Sequence, residues 1–165
     1  MDEGERQLLK SLLVERRLLA LGVVVDDAPY VGQVPFALAP GGGALLIHVS
    51  RLAKHSRGLA PGAPWSGLLQ LGDDGTGDPF QLPRLTLEGR VAVPERGGER
   101  HAAARAAYLA RLPSGAMTFQ LGDFTLYELA VAKGRLVAGF GSTFNIGPDH
   151  LRLLGEREAG SSESV

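Results

Sequence analysis

The sequence predicts a mainly β, α+β protein: an antiparallel barrel with helices covering its ends. Three observations carry that expectation. Roughly six or seven short apolar or alternating runs are separated by turn-forming residues, so successive strands join as hairpins rather than through crossover helices. Helical patterning is confined to an amphipathic start, a short basic stretch and one alanine-rich segment. Finally, 165 residues with 44% hydrophobic content suit a single domain with a substantial core.

Taken in order, Glu5 to about Arg17 places Leu8, Leu9, Leu12 and Leu13 at helical spacing between charges, which predicts an amphipathic first helix. Leu18 to Val25 is rich in branched residues and ends at Asp26-Asp27-Ala28-Pro29, a strand and its reversal. Tyr30 to Leu38 alternates loosely. Pro35 inside it marks a strand end, edge or bulge, because proline donates no ladder hydrogen bond. Pro40 to Gly43 then turns the chain into Ala44 to Val49, a continuous apolar run. Ser50 reads as the N-cap of a short basic helix that Ala60-Pro61-Gly62-Ala63-Pro64 stops. Trp65 to Leu71 and Leu82 to Val93 are further strands, flanking an exposed GDDGTGDP loop without the ligand spacing of a calcium-binding loop. Glu99 to Leu112 is the clearest helix and stops at Pro113. Phe124 to Val131 and Arg135 to Phe140 are expected to pair as a last hairpin turning at Lys133-Gly134. Residues 1–150 thus form the domain, and the small polar residues of 151–165 predict a flexible tail.

Composition excludes several functions. Seventeen basic against eighteen acidic residues leave a net charge of −1, so no overall field points to nucleic acid or an anionic membrane. Without cysteine there is no disulfide, thiolate metal site or thiol catalysis, which is compatible with a reducing cytoplasm. The charged N-terminal stretch lacks a signal-peptide core and no apolar run approaches membrane-spanning length, so a cytoplasmic location is expected. P-loop, zinc-protease and serine-hydrolase motifs are absent, and Gly139-Phe140-Gly141 does not extend to a dinucleotide fingerprint. His48, His55, His101 and His150 form no ligand-spaced pair, so no metal site is expected. His48 reads as a core or interface residue and His101 as a solvated one.

One basic constellation remains: Ser50, Arg51, Lys54, His55 and Arg57, following a strand. A helix start offers free N–H groups and positive dipole, and the added cations suit a phosphate or carboxylate. The alternative is a strand followed by a solvated charged turn.

The neighbouring motifs give this stretch a context. QVPFAL (Gln33 to Leu38), LIHVSRLAKHSRGL (Leu46 to Leu59), DPFQLPRLTLEG (Asp78 to Gly89), YLARLP (Tyr108 to Pro113), GDFTLYEL (Gly122 to Leu129) and LVAGFGSTFNI (Leu136 to Ile146) occur in succession. Together they resemble the pyridoxamine 5'-phosphate oxidase-like FMN-binding split barrels, and more narrowly the branch that includes haem-utilisation proteins. The resemblance implies an antiparallel split β-barrel and a homodimer with two flavin sites at the subunit interface. By it, Gln33, Val34, Pro35 and Phe36 line the flavin ring, and His48, Val49 and Ser50 border the ribityl chain. Arg51, Lys54, His55 and Arg57 meet the phosphate, and Gln81 and Arg84 reach across from the partner subunit. It further implies FMN-dependent oxidoreductase activity on an unknown small-molecule substrate, with no catalytic residue assigned. Haem binding or degradation is the alternative, and a non-catalytic flavin carrier or cofactor-free barrel a third. Three departures bear on this: Gly58 stands where the branch has asparagine, Ala60 to Pro64 retains only the proline of an aspartate-proline-arginine segment, and the C-terminal domain of haem-degrading members is not expected in this length. Counterparts of the pyridoxal phosphate contacts are also missing, so vitamin B6 synthesis is not expected.

Overall fold

The computed structural model describes the backbone of residues 1–160 and the side chains through Leu154. The chain begins with a reciprocal cap: the Asp2 carboxylate accepts from the Glu5 N–H at 2.9 Å while the Glu5 carboxylate accepts from the Asp2 N–H at 2.6 Å. This starts helix α1 (Glu3–Lys10), which continues through one wide turn over Ser11–Glu15. Its apolar stripe, Leu9, Leu12 and Leu13, is buried in the main core.

Strands β1 (Leu18–Val25) and β2 (Ala28–Pro35) form the first hairpin. Asp26 and Asp27 both take left-handed backbone angles, φ +52° and +59°, as a two-residue turn matched to strand twist requires. The chain then gives β3 (Ala37–Leu38), β4 (Ala44–Ser50), β5 (Pro64–Gln70), β6 (Arg84–Ala92), helix α2 (Glu99–Arg111), β7 (Phe124–Gly139), β8 (Ser142–Ile146) and helix α3 (Pro148–Gly160). All pairings are antiparallel, in the order β2-β1-β5-β6-β7-β4-β3, with β8 added to β7. The two ends of that order are consecutive in sequence. β2 pairs with β1, β3 pairs with β4, and only Phe36 separates them. Pro35 ends the first pairing, as its missing donor led us to expect. The Phe36 N–H turns to the Arg17 carbonyl at 3.0 Å, and its ring is fully buried. One bent strand therefore curls the sheet into the half-barrel that the sequence predicted.

Alternation decides what fills it. Leu19, Leu21, Val23 and Val25 of β1 point inward with Trp65, Leu69, Leu85, Leu87 and Leu129, whereas Leu18, Ala20 and Val24 point out. β4 is buried on both faces, which is why it reads as an unbroken apolar run: Leu45, Ile47 and Val49 join the barrel core, while Ala44 and Leu46 meet Ala104, Tyr108 and Leu112 beneath α2. No helix among the described residues is long and apolar enough to cross a membrane.

Two expectations are corrected. Lys133-Gly134 is no turn, because β7 runs through it for 16 residues and the last hairpin turns at Phe140-Gly141 into β8. Glycine serves close approach there: a Cβ on Gly134 would lie 2.6 Å from Leu87 Cδ2 and 2.8 Å from the Thr86 carbonyl oxygen. The boundary expected after residue 150 falls inside α3, since Leu151 is fully buried in the core and Leu154 packs against it; residues 161–165 lie outside the described residues.

If the bend at Phe36 organises the barrel, Phe36→Ala removes a fully buried ring and should cost about 3–5 kcal/mol. Phe140→Ala, at a position 90% exposed, should leave the urea midpoint nearly unchanged. Equal effects would deny the bend its role.

Candidate functional site

A cleft of about 880 Å³ lies between the outward face of the β2–β1–β5 sheet and the segment after α2. Alternation puts Gln33 and Pro35 of β2, Ala20 of β1 and Leu68 of β5 on its sheet wall, with Tyr108 and Thr118 on the opposite side. Arg16 and Arg17 stand at the junction of the first helix and β1 and complete the lining. Arg16 Nε is buried there without a hydrogen-bond partner among the described residues. A guanidinium donor so placed is a ready partner for an anionic group, and burial without one costs free energy.

Of the residues expected at a flavin ring, Gln33 and Pro35 therefore share a cleft, but Val34 and Phe36 point into the barrel interior at 1% and 0% exposure. Their side chains are core, and only their backbone is near the β2 edge. Val49 is likewise a core residue. Ser50 caps no helix: its Oγ donates to an Asp123 carboxylate oxygen at 2.5 Å and accepts from the Leu52 N–H, while the following helical turn begins only at Lys54.

That turn, Lys54–Gly58, is a five-residue 3-10 helix. Three residues per turn put Lys54 and Arg57 on one side. Both face the first hairpin: Lys54 Nζ sits 4.8 Å from the Tyr30 ring centre and Arg57 pairs with Asp26 at 2.5 Å. Arg51 leaves in another direction and donates to the Gly122 carbonyl at 3.0 Å. His55 packs on Gly32, with Nε2 buried and unpartnered among the described residues, and burial holds its pKa below the ordinary histidine value. The four cations do not converge within one chain. Gly58 is where this turn touches β1 most closely, for a Cβ there would lie 2.7 Å from the Val24 carbonyl oxygen and 2.8 Å from Val23 Cβ. Gln81 is exposed, and the Arg84 guanidinium is occupied by the Phe80 and Leu82 carbonyls at 3.1 and 3.2 Å.

His48 is buried, as read from the sequence, beneath α2 and the segment that follows it. Its ring stacks on Phe119 with centres 3.7 Å apart and planes 5° apart. Nδ1 lies 2.9 Å from Thr118 Oγ1, whose own proton goes to the Gly115 carbonyl at 2.8 Å. The hydroxyl hydrogen is thus spoken for, so Nδ1 carries the imidazole hydrogen and donates it. Burial, then the positive surroundings of His101, Arg96 and Arg105, hold the His48 pKa down to about 4. His48 is neutral at physiological pH and serves as a core residue beside the cleft. His101, expected in solvent, is half-buried between Arg96 and Arg105, and burial with those two cations lowers its pKa as well. The sequence reading missed Arg16, Arg17 and the α2 cations because each lies far in sequence from the basic turn; only the Arg16-Arg17 pair at a helix end was a visible signal.

The fold and this cleft define an antiparallel split barrel with flanking helices. Solved structures agree. The haem binding protein from Mycobacterium smegmatis is similar with a TM-score of 0.77 and 25% identity, covering 93% of this chain and 61% of that one. HutZ, the haem storage protein from Vibrio cholerae, matches with a TM-score of 0.65 and 24% identity over 82% of this chain and 90% of its own. The FAD and haem binding protein from M. smegmatis matches at 0.62 and 19% identity over 97% of this chain and 78% of its own. The chain thus spans about three fifths of the length of the first of these. No protein-family model matches the chain, and no curated protein matches it by sequence.

The buried neutral histidine sets a pH dependence. Unfolded, His48 binds its proton near pH 6.5; folded, only near pH 4, so between those values the unfolded chain holds more protons. Its contribution to stability is complete above pH 6.5 and is lost as pH falls towards 4, with His55 and His101 acting in the same direction. The urea midpoint should fall between pH 7.5 and 4.5, and His48→Phe, which keeps the stack on Phe119, should fall less. A variant with the same pH slope would remove His48 as the source.

Proposed function

We propose that this chain is a flavin-binding split barrel that works as a homodimeric FMN-dependent oxidoreductase. The observation that carries the reading is the meeting, in one cleft, of Gln33 and Pro35 with the unpartnered buried Nε of Arg16. About 880 Å³ lies within the range of small-molecule and cofactor sites. The wall fits a planar ring: Ala20, Leu68 and Pro35 give it an apolar floor that keeps water away, and the Gln33 amide brings one donor and one acceptor function to its rim. β2 pairs only with β1, so its other edge supplies further backbone donors and acceptors. Arg16 and Arg17, rather than the dispersed Arg51, Lys54 and Arg57, are the cations within one chain that stand beside this wall to hold an anionic group. A bound flavin supplies the electron-transfer chemistry, and the protein's part is to bind, orient and shield it.

The same face argues for the dimer. Leu18, Val24, Val31 and Leu68 are 50%, 51%, 69% and 37% exposed on the outward side of β1, β2 and β5, an apolar surface that a second copy would cover and that reaches the cleft at Leu18 and Leu68. A second reading, haem in place of flavin, is supported by the likeness to haem binding and haem storage proteins, and the Arg16–Arg17 pair suits propionates as well as phosphate.

Separate absorbance titrations with FMN and haemin distinguish these readings. Flavin band shifts at micromolar FMN, weakened by about 1.5–3 kcal/mol in Arg16→Gln, are the expected result. A Soret band without flavin binding selects haem, and binding of neither overturns both in favour of a cofactor-free barrel. Sedimentation showing only a 17.4 kDa species would remove the two-chain site.

A further inference from the structure

On the far side of His48 and Phe119 from the cleft, two smaller depressions of about 360 and 390 Å³ adjoin one another and share Arg96 and His101. The first is also lined by Arg51 and Glu95, the second by Arg105. Sequence places these residues on three separate segments; the fold gathers them where the β6–α2 connection crosses the end of β4 and the start of β7.

Each arginine is held by something other than a carboxylate. Arg51 donates to the Gly122 carbonyl at 3.0 Å and Arg96 to the Phe124 carbonyl at 3.1 Å, while the Arg105 guanidinium lies 5.2 Å from the Phe119 ring centre. None has a carboxylate within ion-pairing distance among the described residues, although nearby Arg100 is paired with Glu128. A protein whose charges balance overall thus keeps Arg51 and Arg96 with Glu95 on the first depression, and Arg96 and Arg105 with no carboxylate among the lining residues of the second. The surplus of two positive charges matches a dianion. Guanidinium forks pair with its oxygens in a geometry that a carboxylate's two oxygens cannot saturate three times over. Val93, Pro94 and Leu126 add an apolar wall on the first depression, so a small organic group attached to the anion has somewhere to rest.

We propose that Arg51, Arg96, His101 and Arg105 form a second ligand site, separate from the cofactor cleft, that takes the phosphoryl group of a small phosphate monoester. The backbone carbonyls fix Arg51 and Arg96 before the ligand arrives, so little side-chain order has to be gained on binding. His101, neutral in the free protein between Arg96 and Arg105, gains a proton when the dianion offsets those charges and then donates a further hydrogen bond.

Calorimetry with inorganic phosphate and with phenyl phosphate, at low ionic strength and on the full chain, tests the site. Both are expected to bind, phenyl phosphate more tightly. Arg96→Gln and Arg105→Gln should each weaken binding about tenfold or more, and Arg135→Gln, an exposed cation on β7, should not. Equal losses in all three variants would reduce the site to general surface charge. Independently of affinity, the His101 imidazole resonances should titrate at higher pH with phosphate present, and an unmoved titration overturns the assignment. Saturating FMN should leave phosphate binding intact; mutual exclusion would make this part of the flavin site and overturn its separateness. Should FMN not bind at all, the phosphate and His101 measurements still decide the question.

Discussion

The barrel depends on one bend. Ala28 to Leu38 is a single stretch of chain that pairs with β1 up to Pro35 and with β4 from Ala37, so the two edges of the sheet are tied by the covalent backbone at Phe36. A sheet with free edges could slip by two residues and keep its inward set; this one cannot, because a slip on one side would have to be matched on the other. The Phe36 amide bond to Arg17 and the buried ring fix the point of turning. Everything positioned by the barrel inherits that register, including Gln33 and Pro35 on the cleft wall and the inward Val34 between them.

How much of this was legible depended on the range of the interaction concerned. The period-two alternation of β6, the apolar runs of β1 and β5 and the Asp26-Asp27 turn are local, and the sequence displays them directly. Pro35 announced the strand end for the same reason. Gly134 misled because glycine is ambiguous: it marks a turn when φ is positive and a close approach when a neighbouring strand leaves no space. Which applies is decided by Leu87 and Thr86, far away in the chain. Leu151 and Leu154 sit among polar residues and reveal themselves as core only once α3 is placed against the barrel.

The basic turn shows the same limit at the level of chemistry. Arg51, Lys54, His55 and Arg57 lie within seven positions, and proximity in sequence suggested a shared target. A 3-10 turn distributes side chains about every 120°, which sends Lys54 and Arg57 to the first hairpin and leaves Arg51 with the α2 cations. Conversely, residues with nothing in common in the sequence, Gln33 and Arg16 or Arg51 and His101, are brought to common clefts by the fold. The resemblance to flavin-binding barrels named Gln33 and Pro35, which the fold places on one cleft wall, whereas the arginines beside that wall had to be read from the fold.

Gly58 sets a steric limit on the same turn. The contact distances to Val23 and Val24 mean that the space an asparagine side chain would need is already filled by β1. Shrinking Val23 to alanine would not make room, because its Cβ and the Val24 carbonyl oxygen stay in place; β1 itself would have to withdraw before position 58 could carry a side chain. Position 58 is thereby closed to any side-chain contact with a ligand for as long as β1 keeps its place.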